Sequence, residues 1–184
     1  MWRQVRSFLS HFVYGWFKHN PSEIAARVRK RLLKVNTFID IDVTIVNRHN
    51  IIFGEECALY YGTYILNTHG QVTFGNRSHL GALCYVNAHK GFLKIGDDVA
   101  IGPGTKIIVY SNYYEKDKKV TDVRITADIE IGNNVFIGAN CTILPGTIIK
   151  DHVVVGANSV IKGTLESNCI YAGVPCKLIK KDWY

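Results

Sequence analysis

The sequence predicts an all-β solenoid carrying a helical arm at its N-terminus. Two observations predict the solenoid, and a third sets the arm apart. Every sixth residue from Ile131 is aliphatic: Ile131, Ile137, Ile143, Ile149, Val155 and Ile161. Four places after each stand Val135, Cys141, Thr147, Val153, Ser159 and Leu165, mostly small or β-branched. A period of six is neither the 3.6 of a helix nor the 2 of a plain strand. It fits a short strand plus a turn, three of which close one triangular coil of 18 residues. The aliphatic residue then points inward and the small one fills the corner. Coils stack at the sheet spacing of about 4.8 Å.

The second observation is a repeated opening phrase: Ile51-Ile52-Phe53-Gly54, Val72-Thr73-Phe74-Gly75, Leu93-Lys94-Ile95-Gly96 and Ile129-Glu130-Ile131-Gly132. Phe53, Leu59 and Ile65 make one coil, Phe74, Leu80 and Val86 the next, and Ile95, Ile101 and Ile107 a third. Starts at 53, 74 and 95 lie 21 apart, so the first two coils carry three extra residues at one corner. From 95 to 131 is one coil plus about 18 residues. That insertion, 110–128, is polar and charged, and reads as a loop extruded from the prism, a place where function concentrates.

The third observation is the charge. The chain has 184 residues and a formal net charge of +7. Residues 1–35 hold eight cations and one anion, the whole of that excess; the remainder is balanced at 14 and 14. A neutral body argues against a nucleic-acid binder. In the arm, Trp2, Val5, Leu9, Phe12, Val13 and Trp16 recur at helical spacing. A second helix is expected from Asn20 as N-cap, Pro21 and Glu23, running to about Val35. An aromatic, basic arm suits two tasks. It can cover the open end of the solenoid, or lie on anionic lipid. The expected organisation is a basic helical arm over 1–38 and a β-helix over 39–184, with the extruded loop at 110–128 and a C-terminal tail at 167–184.

The sequence has no run of about 18 apolar residues for a spanning helix and no recognisable export signal. Five cysteines without a CxxC pair read as reduced, cytoplasmic thiols. Cys57, Cys84 and Cys141 fall on the small inward position and read as core filler. Cys169 and Cys176 are less constrained.

The run Ile131-Gly132-Asn133-Asn134-Val135-Phe136-Ile137-Gly138-Ala139-Asn140, with Ile143-Leu144-Pro145-Gly146-Thr147 and the closing Tyr171-Ala172-Gly173-Val174-Pro175-Cys176-Lys177-Leu178-Ile179-Lys180, resembles the hexapeptide-repeat acyltransferases. Within them it is most similar to maltose/galactoside O-acetyltransferases and to acetyltransferases of capsule, O-antigen and exopolysaccharide loci. The resemblance covers about residues 50–181. It implies a left-handed solenoid, a homotrimer, active sites between neighbouring prisms, and acetyl-CoA as acyl donor without a metal. It places the pantetheine arm near Gly138, Ala139, Gly156 and Ala157. It places the phosphates near Lys162 and the terminal segment with Gly173, Pro175, Lys177 and Lys180.

The chemistry so implied is direct transfer to a sugar or polysaccharide-precursor hydroxyl, or an amine. A base takes the acceptor's proton and a backbone N–H meets the charge developing on oxygen. Histidine suits the base role because it titrates near neutrality. The family's histidine sits at the start of the extruded loop, and the matching residue here is Asn112, an amide that is no base. Coil geometry offers His89 instead: His69, His89 and Asn112 fall at one corner in successive coils. His89 is then expected about one rung, roughly 5 Å, from Asn112, with Asn112 orienting the acceptor or the imidazole. Glu115 and Asp117 are the candidate supporting carboxylates, and Tyr113 and Tyr114 candidate sugar platforms. His69 reads as a small, inward structural position; His49, His79 and His152 read as surface.

Two other readings compete. One is a catalytically silent scaffold that has lost the loop histidine. The other is a metal hydrolyase, for which His69 and His89 lack a third ligand. The arm is a candidate for peripheral contact with the anionic inner membrane face.

Overall fold

A computed structural model describes residues 37–40 and 42–184. The helical arm expected before Thr37 lies outside the described residues. The described chain is a parallel β-helix of three faces. Face A stacks Phe38–Ile39, Ala58–Leu59, His79–Leu80, Ala100–Ile101, Phe136–Ile137, Val154–Val155 and Cys169–Ala172. Lys177–Lys181 closes that sheet antiparallel to Cys169–Ala172. Face B stacks Thr44–Ile45, Tyr64–Leu66, Tyr85–Asn87, Lys106–Ile108, Thr142–Ile143 and Val160–Ile161. Face C stacks Ile51–Phe53, Gln71–Phe74, Phe92–Ile95, Ile129–Ile131, Ile148–Ile149 and Thr164–Leu165. Faces B and C thus give one strand to each of six coils, and face A adds a seventh, Cys169–Ala172, beyond the last.

The registers place the aliphatic residues in columns. On face C, Phe53, Phe74, Ile95, Ile131, Ile149 and Leu165 are mutual partners. Leu59, Leu80, Ile101, Ile137 and Val155 align on face A, and Ile65, Val86, Ile107, Ile143 and Ile161 on face B. These side chains fill the prism and are buried, except Phe53 near its open end, which is partly buried. Leu165 corrects the sequence reading. It occupies the aliphatic column beside Ile149, because the last corner is two residues short: Ile161 to Leu165 spans four, where Ile143 to Ile149 spans six.

The small inward residues do more than fill space. Thr63, Ser78 and Thr105 donate to the carbonyls of Gly81, Gly96 and Gly138 in the next coil, at 3.1, 2.7 and 3.2 Å. Cys57, Cys84 and Cys141 place their thiols in the same relation to Gly75, Gly102 and Gly156. A hydroxyl or thiol there satisfies a buried carbonyl that a methyl would leave without its second partner. Burial pushes the Cys84 thiol up to about 11, so it stays protonated and inert.

The corners have their own chemistry. At the C–A corner the side-chain oxygens of Asn76, Asp97, Asn133 and Asp151 accept the backbone N–H of Glu55, Asn76, Asp97 and Asn133 one coil earlier. The next residue takes positive φ each time: Glu56, Arg77, Asp98, Asn134 and His152. At the A–B corner, backbones approach so closely that a Cβ on Gly138 would sit 2.5 Å from the Ala157 nitrogen. Gly138→Ala is therefore expected to destabilise the solenoid by about 1–3 kcal/mol, the usual cost of overpacking, read from urea melts. An unchanged midpoint would contradict this stacking.

Candidate active site

The B–C corner is where the chain departs from the minimal coil. In coil 1 it forms a 3-10 turn, Arg48–Asn50. In coils 2 and 3 it bulges through residues 67–70 and 87–91. In coil 4 it leaves the prism as an antiparallel hairpin, Tyr110–Asn112 against Arg124–Thr126. The bulges nest: a Cβ on Gly70 would lie 2.2 Å from the Ala88 carbonyl oxygen, so only glycine allows this approach.

This nesting stacks a row of rings outside the corner. His69 donates its N–H to the His89 carbonyl at 3.0 Å. Their imidazoles lie 5.3 Å apart, edge to face. The other side of His89 meets the Tyr110 ring at 5.2 Å. Lys90 holds its ammonium 5.8 Å from the same ring. The Asn87 side chain fixes the bulge by accepting the His89 N–H at 3.3 Å.

Two geometric expectations need correction. The rung neighbour of His89 is Tyr110, not Asn112. Asn87 pairs with Ile108, so two residues further on His89 stands level with Tyr110. Asn112 is exposed on the hairpin, opposite Arg124. His69 is exposed rather than inward. The buried place belongs to Asn67, which donates to the carbonyls of Asn47 and Asn50 and accepts the Asn47 N–H. The 21-residue spacing of the coil starts already puts 110 opposite 89. No spacing signal marks Asn67.

On the hairpin, Tyr113 and Tyr114 stack at 4.9 Å, both exposed. Glu115 pairs with Lys118 at 2.9 Å, and Asp117 stands exposed at positive φ. The carboxylate built into the corner is Asp128, whose Oδ1 accepts the Phe92 N–H at 2.8 Å. Sequence reasoning missed both Tyr110 and Asp128.

The residues assigned to the donor by resemblance lie elsewhere. Gly138, Ala139, Gly156 and Ala157 line the A–B corner of coils 5 and 6, and Gly173, at φ +101°, continues it. Val174–Pro175 is a cis peptide. Lys177 and Lys180 are exposed on the terminal strand. Lys162 is exposed at the B–C corner, two coils beyond the hairpin. Face B therefore separates the A–B group from the His89 corner within one prism. Two shallow grooves occupy face C instead. One, of about 340 Å³, involves Lys94, Asn133, Ile148 and Lys150. The other involves Thr73, Phe92, Lys94, Asp128 and Glu130. Among the described residues no three His, Cys, Asp or Glu side chains converge as a metal site would require.

Comparison with known proteins finds similarity to hexapeptide-repeat transferases. Residues 128–163 match the family model "Bacterial transferase hexapeptide (six repeats)". The chain is 32% identical over 114 residues to a galactoside O-acetyltransferase of Escherichia coli K12, covering 59% of this chain and 56% of that one. Its sequence is thus similar to that of hexapeptide-repeat transferases over part of its length. It is also 57% identical over 53 residues to the putative lipopolysaccharide biosynthesis O-acetyl transferase WbbJ of E. coli K12, covering 29% of this chain and 27% of that one. It thus spans about half of the first relative and about a quarter of the second. Among solved structures it resembles a variant of AntD, an N-acyltransferase from Bacillus cereus in complex with dTDP and coenzyme A. The TM-score is 0.72 at 25% identity, covering 79% of this chain and 81% of that one.

His49 is exposed as expected, but His152 and His79 have partners that spacing did not reveal. His152 stacks on Tyr184 at 4.1 Å and meets the Asn134 amide at 2.9 Å. Trp183 donates to its carbonyl at 2.8 Å. His79 lies edge-on to Tyr60 at 5.8 Å, and burial pushes its imidazole below its ordinary 6.5. A lowered folded-state value means that the unfolded chain binds the proton first as pH falls. Stability is then lost as pH drops through about 6.5. Thermal melts of wild type are expected to weaken between pH 7 and 5, and those of His79→Gln to weaken less. The Asp98 carboxyl, held below its usual range by Arg77 hydrogen bonds, acts only at lower pH. Parallel curves for the two proteins would contradict the assignment.

Proposed function

We propose that this protein transfers an acetyl group from acetyl-CoA to a sugar or polysaccharide-precursor acceptor. The observation that carries the reading is one corner of a hexapeptide solenoid at which His89, Tyr110 and the extruded hairpin meet. The supporting relatives are acetyltransferases by name, and AntD carries coenzyme A. The thioester supplies the activated acyl group. His89 is the group at this corner suited to take the acceptor's proton. Asn112, Tyr113 and Tyr114 are assigned to the acceptor, with Glu115 and Asp117 as further polar groups of the same hairpin.

The A–B corner suits the pantetheine arm, because Gly138-Ala139 and Gly156-Ala157 present nothing larger than a methyl between ligand and backbone. Lys162, Lys177 and Lys180 are assigned to the phosphates by charge. Since face B divides the two corners, a cleft between two prisms of a homotrimer is where they are brought together. Hydroxyl and amine acceptors both fit; an amine gains support from AntD's being an N-acyltransferase. Asn112 in the loop slot favours a second reading, a scaffold without catalysis. The cytoplasm is the assigned compartment. The basic arm is assigned to the anionic membrane face.

Release of free thiol from acetyl-CoA over a panel of sugars and amino sugars separates these readings. We expect turnover that His89→Ala lowers by about 10²- to 10⁴-fold, while Asn112→His is tolerated. An unimpaired His89→Ala enzyme removes the base assignment. Absence of both turnover and CoA binding by calorimetry favours the scaffold. Removal of residues 1–35 is expected to abolish pelleting with anionic liposomes; unchanged pelleting rejects the membrane assignment.

A further inference from the structure

The A–B turn is the same device in every coil. Its third residue takes positive φ: Asp42, Gly62, Leu83, Gly104, Asn140 and Asn158. Five of these are Gly, Asn or Asp, the types that enter the left-handed region at least cost. Leu83 is the exception at φ +60°. Its side chain gains no burial in return, since it is 62% exposed. A residue unfavourable on both counts points to a contact outside the body.

Leu83 sits in company. Its Cδ2 lies over Gly62, whose added Cβ would fall 2.6 Å away. Tyr61 beside it is 50% exposed, and Tyr60 41%. Tyr60 contacts Phe38, itself 43% exposed, at 5.8 Å. Tyr64 and Tyr85 stack at 5.9 Å around the same corner. These residues carry no charge, and they continue onto a second apolar surface, the open end of the prism. There Val43, Ile45, Ile51 and Phe53 point inward but are only partly buried, whereas Leu59 and Ile65 one coil on are fully buried.

The chain itself supplies an occupant. The described residues begin at this surface, since Thr37 is buried and Phe38 belongs to the patch. The 36 residues before Thr37 carry Trp2, Phe8, Leu9, Phe12, Val13 and Trp16. Even at the helical rise of about 1.5 Å per residue they reach across these three coils. We propose that residues 1–36 dock their aromatic stripe on the A–B corner of coils 1 to 3, anchored by Leu83, and turn their cations outward. The arm's attraction to anionic lipid then rests on charge alone and is lost in high salt.

The test uses the full-length chain with Trp183→Phe, so that Trp2 and Trp16 report alone. Leu83→Asn keeps the turn, as Asn140 and Asn158 do in the same slot. It is expected to shift tryptophan emission to the red and raise acrylamide quenching, with circular dichroism unchanged. Phe136→Thr, an exposed apolar site on coil 5, is expected to do neither. As a second measurement, benzoyl-phenylalanine at position 83 is expected to cross-link to peptides from residues 1–36. Unchanged emission together with cross-links only to body residues of a second copy would overturn the proposal in favour of a subunit contact. Emission that responds only to anionic vesicles would overturn it in favour of lipid.

Discussion

Everything in this structure depends on one constraint: each coil must hydrogen-bond to the next along all three faces at a single rise. A parallel stack permits no local adjustment of register. The inward column on each face therefore repeats one type of residue, and each corner repeats one type of turn. Ser78, Thr105 and Cys141 are small because a carbonyl of the adjacent coil must be met inside the corner. Gly138 is glycine because the Ala157 backbone passes directly over it. The ladder of Asn76, Asp97, Asn133 and Asp151 ties the third corner in the same way.

A scaffold so regular puts its chemistry where regularity is broken. Extra residues cannot be absorbed within a strand without breaking the ladder, so they leave at a corner. The B–C corner absorbs three, three and then about eighteen residues in successive coils. The first two insertions nest as bulges that bring His69 and His89 side by side. The third becomes the hairpin and ends the row with Tyr110. The ring stack is thus a by-product of coil stacking applied to three insertions of different length. The last coil breaks the pattern the other way. Losing two residues after Ile161 brings Leu165 into the core, and the terminal strand then pairs antiparallel at the edge of face A.

The same logic separates what is legible in the residues from what is not. The columns headed by Phe53, Leu59 and Ile65 can be read because each inward position repeats at a fixed interval. Cys57, Cys84 and Cys141 can be placed for that reason too. At the B–C corner the interval fails, and periodicity misleads. It turns His69 inward where Asn67 is, since a bulge of three residues can turn in either of them. Counting from the last strand puts Asn112 beside His89, but the paired strands carry the register on to Tyr110. His152 looks solitary in the sequence because its partners, Tyr184 and Trp183, return from the chain terminus and follow no period.

By itself the sequence determined the solenoid, the coil boundaries from Phe53 onward, the corner from which the loop departs and the confinement of excess positive charge to the first 35 residues. These rest on periodicity and composition, which need no knowledge of contacts. Only the tertiary structure decided that His89 lies between His69 and Tyr110, that face B stands between the two candidate corners, and that Leu83 is held in a left-handed turn with its side chain exposed. Such facts arise where segments of unequal length are forced into one stack, and they become visible once the stack is built.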